Sequence, residues 1–371
     1  MSSRAEDRAL AHIADRVALR SDAANATLAR VLARHGQPAR LGRTLVATLA
    51  EHTRVTLNFH PDRLRPDGVT VAEGLLRDGF YRSQFDTGVT NGSPTAIAGG
   101  ERDRWEERLF GGAYHASDAR ARAHERPKYG AFNVMSHPDG GSPRFGSCYF
   151  ELAPAMLARC TFTWGDSHEG PEHVGTIARF EAVLAAWLET VDTTGAALGA
   201  VGLDVSALVE RLSMSESLRR APMPGPHGRA LDEYIEAQAH GSIDLARDVE
   251  ALVVDPAFDD TQTGEHLAAL SSHYGITLRR HAGFVLRPAE VPSDFRGPRM
   301  APLAERISGG AEFDAATLGR AAQSLIHEPA KWHDWGSAAE TWQHIKQLWH
   351  VLVRFGRERG AAIHTRHAHH G

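Results

Sequence analysis

The sequence predicts an α+β fold, a mixed and largely antiparallel β-sheet core with helical additions at the N- and C-terminal ends. Three observations lead there. Short runs of period-two alternation recur through the middle of the chain, helical spacing governs both ends, and clusters of Gly, Pro, Asn and Asp separate the runs.

Residues 1–45 form the helical N-terminal segment, with Leu10, Ile13, Val17, Leu28, Val31 and Leu32 at helical spacing before His35, Gly36, Gln37 and Pro38 interrupt it. The core, 46–290, begins with the alternating run Val55–Phe59 and a helix over Val71–Arg77 that Asp78 and Gly79 stop. From Tyr81 to Gly112 the chain is irregular apart from a short helix over Trp105–Leu109, a length that points to function. Tyr129–Val134 and Gly146–Leu152 read as an antiparallel pair across the turn His137–Pro143, and Cys160–Trp164 alternates again. A helical insertion near 176–220 follows, built from Ile177–Val191 and Val205–Met214. Next, Tyr234, Glu236, Gln238 and His240 fall on one face of a strand, and Ile235, Ala237 and Ala239 on the other. The apolar run Val249–Val254 is expected to pair back with that strand, and 275–286 adds one more strand or hairpin. Residues 291–371 are a helical C-terminal region and tail, in which Trp335, Trp342 and Trp349, spaced by seven, mark a packed seam.

The 371 residues are 42% hydrophobic and 23% charged with net charge -5, ordinary for a globular chain and without a strong nucleic-acid signal. Cys148 and Cys160 are too few for a disulfide framework or a zinc site. Neither a signal peptide nor an apolar span of membrane length is visible, so the expectation is no membrane and a cytoplasmic location at synthesis. Signal-less export as an effector leaves no trace in a sequence. His327, Glu328 and His333 lack metal-site spacing, and His364, His367, His369 and His370 sit in the tail, so no metal is expected. Gly195, Gly199 and Gly202 are not a dinucleotide fingerprint, and Gly165-Asp166-Ser167 is not a nucleophile elbow.

The ordered stretches Thr56–Arg63, Tyr81–Phe85, Glu125–Phe132 and Arg144–Phe150 resemble the bacterial family catalogued as domain of unknown function 3626. That label names no activity. More broadly, Cys160–Ser167 followed by Tyr234–Gly241 is similar to the closing segments of ADP-ribosyltransferase domains of bacterial toxins. This second resemblance implies an ADP-ribosyltransferase-like split sheet around an NAD cleft, with an Arg or His on the first core strand, an aromatic or Ser in the middle, and a catalytic Glu near the end. Carried onto this chain, it implies Glu236, His60 and Tyr149 as the catalytic set, with Tyr129 and Ser147 competing for the middle role and Arg63 or Arg82 for the first. NAD contacts are expected from His60, Arg63, Arg82, Ser83, Gln84, Tyr129, Ser147 and Gln238, with Ser83–Gly100, including Asn91, as a lid.

The implied activity is cleavage of NAD, as substrate, at the nicotinamide–ribose bond and transfer of ADP-ribose to an unknown macromolecular or small-molecule acceptor. Tyr234 stands where arginine-modifying transferases carry a Glu or Gln, which disfavours arginine as acceptor. An NAD glycohydrolase, or a non-catalytic protein that binds NAD or ADP-ribose, are the alternatives.

Overall fold

A computed structural model describes residues 4–88, 96–115, 123–213 and 230–359. Its centre is an eight-stranded sheet made of β1 Val55–Phe59, β2 Lys128–Phe132, β3 Cys148–Leu152, β4 Cys160–Trp164, β5 Val174–Thr176, β6 Ile235–Ala239, β7 Val249–Val254 and β8 Thr277–Arg280. The order across the sheet is β8-β7-β3-β1-β2-β6-β4-β5. Every neighbouring pair is antiparallel except β7 and β8, which run parallel.

Two expected pairings do not form. The runs around Tyr129 and Tyr149 are not a hairpin, because β1 lies between β2 and β3 and pairs with both. Nor does β7 fold back on β6: β6 pairs with β2 and β4, and β7 with β3 and β8. Alternation identifies a strand but leaves its partner open, and here β1, β2, β3, β6 and β7 each pair with strands distant in sequence.

One seam of the sheet is short. β1 meets β2 only at Val55↔Phe132 and Thr56↔Ala131, whereas it meets β3 over Thr56 to Phe59. Beyond Thr56 the two strands part, since Lys128, Tyr129 and Gly130 are paired to β6 instead. Gly130 sits at the fork, where a Cβ would lie 2.1 Å from the Thr56 carbonyl oxygen. Only a residue without a side chain permits this approach.

Antiparallel register gives the sheet two consistent faces. One is apolar: Val55, Leu57, Phe132, Phe150, Phe162, Ile235 and Ala237 join a single buried cluster, and Phe132, Phe162 and Phe180 pack with ring centroids 5.0 to 5.5 Å apart. At about 1.5–3 kcal/mol for each large apolar side chain removed from water, this face drives the fold. The opposite face carries Thr56, Asn58, Tyr149, Tyr129, Glu236, Gln238, Thr161 and Thr163. Those on β1 and β6 are buried as well, so β6 is a central strand rather than a wet edge.

Among the described residues, eleven helices of eight or more residues surround the sheet: α1 Ala5–Ala18, α2 Ser21–Arg34, α3 Leu41–His52, α4 Val71–Asp78, α5 Glu101–Leu109, α6 Glu181–Thr194, α7 Val205–Ser213, α8 Gln262–Tyr274, α9 Met300–Ser308, α10 Ala315–His327 and α11 Ala338–Phe355. The expected helix over Val71–Arg77 is α4, opened by the Thr70 side chain accepting from Glu73 N–H and closed by Gly79 at φ 71°. α6 and α7 lie within 176–220, where helix is expected, and 214–220 of that span lie outside the described residues. The N-terminal helices divide their contacts. Ala9, Ile13 and Val17 of α1 pack with Phe110 and Tyr114, while Leu28, Val31 and Leu32 of α2 join the main cluster.

The C-terminal helices are integral to the core, since Leu303, Leu318, Ile345 and Trp349 belong to the same cluster as the sheet. The Trp349 indole also donates to the Pro143 carbonyl at 2.9 Å. Trp335 precedes α11, whereas Trp342 and Trp349 lie on it. Among the described residues no helix is long and apolar enough to cross a membrane. The histidines of the tail and Asn91 lie outside the described residues.

Candidate active site

Where β1 and β2 part, a cavity of about 400 Å³ opens, with Asn58, Phe59 and His60 on one side and Lys128, Tyr129 and Glu236 on the other. Glu236 is 5% exposed, in the middle of β6, and projects from the polar face. Gln238 Nε2 donates to its Oε1 at 2.8 Å, and the Ser167 backbone N–H approaches Oε2 at 3.5 Å. Burial, and then the negative charge of Asp166, push the Glu236 carboxyl up to about 8. At neutral pH that shift favours the protonated form.

A chain of hydrogen bonds fixes Glu236 from behind. The Tyr114 hydroxyl meets His240 Nδ1 at 2.5 Å, His240 Nε2 meets Thr161 Oγ1 at 2.9 Å, and Thr161 donates to Gln238 Oε1 at 2.7 Å. Burial lowers the His240 pKa to about 3, so its ring is neutral. A neutral ring satisfies every member in one direction: Tyr114 donates to Nδ1, Nε2–H donates to Thr161, Thr161 donates to Gln238, and Gln238 donates to Glu236. Such a fully satisfied buried network holds a side chain to one rotamer.

Beyond Glu236 the walls are rich in cations. Arg63, Arg65, Arg82, Arg102, Arg144 and Lys346 line the cavity, against the carboxylates Glu101, Asp166 and Glu236. Burial, helped by the nearby Arg144 and Arg296 charges, lowers the Lys346 pKa to about 8. Several polar atoms of this wall are buried with no protein partner among the described residues: Arg63 Nη1, Arg102 Nη1, Arg144 Nε, Gln84 Oε1, Trp105 Nε1 and Ser167 Oγ. Unmatched buried groups cost about 1–3 kcal/mol each, and here both donors and an acceptor, Gln84 Oε1, are gathered in one cavity able to hydrogen-bond a polar ligand.

His60, Arg63, Arg82, Ser83, Gln84, Tyr129 and Glu236 all reach this cavity. His60 packs edge-on against Trp349 at 5.0 Å, and burial, with the Arg63 charge, keeps it neutral well below its ordinary pKa. Arg63 lies over the Trp342 ring at 4.7 Å. Arg82 is already paired with Asp78 and Asp86, each at 3.0 Å, and Ser83 donates to the Ala123 carbonyl at 2.7 Å. Tyr129 donates to the buried Glu106 at 2.8 Å, and the Arg102 guanidinium covers its ring at 4.6 Å, with Trp105 on that same guanidinium.

Three expected residues stand apart from the cavity. Tyr149 shares the polar face but lies beneath the 137–145 turn, its hydroxyl donating to the Pro138 carbonyl at 2.9 Å. Ser147 is buried near His281, which contacts its carbonyl at 2.8 Å. Gln238 is fully buried behind Glu236, as part of the chain that orients it.

Sequence reasoning passed over Arg102, Arg144, Lys346 and the Asp166/His168 pair. The last had a signal, since the residues following β4 must lie beside those preceding β6 once the two strands pair. Lys346 had none, because α11 reaches the cavity only through packing. Among the described residues no group of three or more His, Cys, Asp or Glu side chains is placed to hold a metal ion.

The model of the family described as "Protein of unknown function (DUF3626)" matches residues 54–355, a span that holds all eight strands, α4 to α11 and the whole cavity. No curated protein matches the chain. The family match continues past residue 290 through the C-terminal helices, in accord with their place in the core. On the strength of that match over most of its length, the chain belongs to the DUF3626 family.

Proposed function

We propose that this chain is an ADP-ribosyltransferase that cleaves NAD at the nicotinamide–ribose bond and passes ADP-ribose to an acceptor. The observation that carries the reading is the position of Glu236, a carboxyl held rigidly on a central strand at the point where a sheet splits around a cation-lined cavity. The short β1–β2 seam is the feature that leads us to read the sheet as an ADP-ribosyltransferase-like one. A cavity of this size is in the range of ligand sites. Arg63 and Arg144, with unmatched guanidinium nitrogens, suit a diphosphate, which guanidinium groups bind through paired hydrogen bonds.

The reaction asks for a group that opposes positive charge. As the bond from nicotinamide to ribose breaks, the ribose takes on oxocarbenium character, much as in glycoside cleavage. Glu236 supplies the opposing charge once ionised, preorganised by its strand and by Gln238. Burial raises its pKa and so holds the proton on; a cationic ring entering beside it lowers that pKa and favours ionisation, because the ligand's charge offsets the burial cost. His60, neutral and at the end of β1, is placed to accept or donate a hydrogen bond to the sugar.

The test is incubation of the full chain with labelled NAD, with and without a bacterial lysate, reading free nicotinamide and the labelled product. Nicotinamide release that falls at least ~100-fold in folded Glu236→Gln supports the reading. Wild-type activity in that variant defeats it, and NAD binding without release points to a binding protein. Arginine as acceptor is disfavoured by Tyr234, which stands where a second carboxylate or amide would take up a guanidinium and donates its hydroxyl to Asp166 at 2.7 Å; water as acceptor is the glycohydrolase alternative.

A further inference from the structure

Residues 165–170 leave β4 and turn over the cavity beside Glu236, and they place there a pair that the cleavage step does not use. His168 Nδ1 lies 2.8 Å from Asp166 Oδ1, and the His168 backbone N–H adds a second bond to that oxygen at 3.1 Å. Asp166 Oδ2 takes the Tyr234 hydroxyl at 2.7 Å. Burial raises the Asp166 pKa, but the Tyr234 and His168 bonds outweigh it and keep the group ionised. The proton of a neutral His168 therefore sits on Nδ1, and Nε2 presents a lone pair. Its side chain is 50% exposed, its ring packs 6.1 Å from Trp105, and it lines the same cavity as Glu236. The acidic groups that act on it are Asp166, Glu169 and Glu236.

We infer that the Asp166–His168 pair is the proton acceptor for a hydroxyl nucleophile, water or an alcohol, that attacks the ribose carbon. This rests on the proposed cleavage of NAD and deepens it by naming the acceptor class. In the step, the nucleophile's oxygen bonds to the ribose carbon, and the carbon–nitrogen bond breaks with its electron pair going to nicotinamide, which leaves neutral. The hydroxyl proton passes to His168 Nε2 and then to solvent. Asp166 already accepts three hydrogen bonds, from the His168 ring, the His168 backbone N–H and the Tyr234 hydroxyl, so both of its oxygens are engaged and it is a poor receiver for a guanidinium. Instead the neighbours are Ser167 Oγ and Trp105 Nε1, without a hydrogen-bond partner among the described residues and suited to hold a neutral oxygen. Hydrogen bonding to Asp166 raises the His168 pKa, which makes the free Nε2 a stronger base.

The experiment uses the full chain with NAD, alone and with added methanol or agmatine, comparing wild type, His168→Ala and Asp166→Asn. Expected in His168→Ala is a fall in nicotinamide release of about 100-fold with NAD binding retained, and partial recovery on adding imidazole. Asp166→Asn falls as well, without imidazole recovery. A methyl glycoside formed above the methanol mole fraction identifies an alcohol acceptor, and free ADP-ribose in excess identifies water. His168→Ala turning over within twofold of wild type, or staying inactive in imidazole while folded and NAD-bound, overturns the pair and leaves the Glu236 reading standing. Preferred transfer to agmatine overturns the acceptor class. No nicotinamide release from wild type overturns the cleavage reading itself.

Discussion

Strands β3 and β6 alternate in the same way and project polar side chains from the same face of one sheet, yet only one of them faces a cavity. On the β3 side the face is covered by the 137–145 turn: Asn58 donates to the Asp139 and Gly146 carbonyls at 3.0 and 3.2 Å, and Tyr149 donates to Pro138. On the β6 side the cover is α5 and the residues after it, which reach Tyr129 through Glu106 and His240 through Tyr114 but leave Glu236 open to the fork. The difference lies in what covers each face, a property of segments remote in sequence from the strand. Two glutamates make the contrast sharp. Glu151 on β3 pairs with Arg279 at 2.9 Å near the surface, and Glu236 on β6 has no cation bonded to it among the described residues and borders the cavity.

The largest expected effect separates these two. Glu236→Gln should lower nicotinamide release by ~10²–10³-fold, the usual loss when a preorganised charge is removed from a transition state. Glu151→Gln should leave turnover within twofold and cost about 0–1 kcal/mol, as partly exposed ion pairs do. Chromatographic assay of both variants at matched folded concentration checks the contrast. Equal losses in the two would mean that the cover over β3 is no barrier and that the site spans the whole face.

The next effect sets activity against stability within β6. The Glu236 carboxyl in the folded chain titrates near 8, against 4.5 for the free side chain. Below the lower value both states carry the proton. Between the two values the unfolded chain has released it and the folded chain keeps it, so the folded state loses relative stability as pH rises, by up to about 1.4 kcal/mol per pH unit. The stability of Glu236→Gln relative to wild type should therefore improve from pH 5 to pH 8, read by urea unfolding. Over the same window wild-type kcat/KM should rise as the carboxylate forms. A stability difference that stays flat with pH would place Glu236 in water rather than in the closed wall.

How much of this could be read beforehand follows from the same contrast. Glu236 was legible because alternation of Tyr234, Glu236, Gln238 and His240 is local, and so was the α4 helix with its Thr70 and Gly79 ends. The partner strands were not, since period two says nothing of register between segments about 100 residues apart in the chain, and the insertion of β1 between β2 and β3 leaves no mark in either. Tyr149 and Tyr129 look alike in sequence, and only the packing of the 137–145 turn and of α5 tells which one meets the cavity. Arg102, Arg144 and Lys346 gather from a helix, a turn and the last helix, a convergence that exists only after folding.

The fork itself supplies a smaller test. A Cβ at position 130 would lie 2.1 Å from the Thr56 carbonyl and 2.6 Å from Leu57 Cδ2, so backbone must move to admit it. Gly130→Ala is expected to cost about 1–3 kcal/mol by overpacking. Because the strain falls at the short seam joining the half-sheets edge to edge, NAD affinity should drop along with stability, read by calorimetry and denaturant titration. Loss of stability with unchanged affinity would separate the seam from the site.

Least in size is Tyr149→Phe, which removes one hydrogen bond to Pro138 and should cost about 1 kcal/mol. Nicotinamide release should be unchanged, since the hydroxyl lies beneath the turn and outside the cavity. Tyr129→Phe serves as its partner on the other half. There the lost hydroxyl leaves Glu106 Oε1 without its donor and loosens the wall that carries Arg102, so the KM for NAD should rise. A fall in turnover in Tyr149→Phe with stability intact would show that the 137–145 turn lifts from the sheet when substrate binds, and the two halves would then differ in motion rather than in cover.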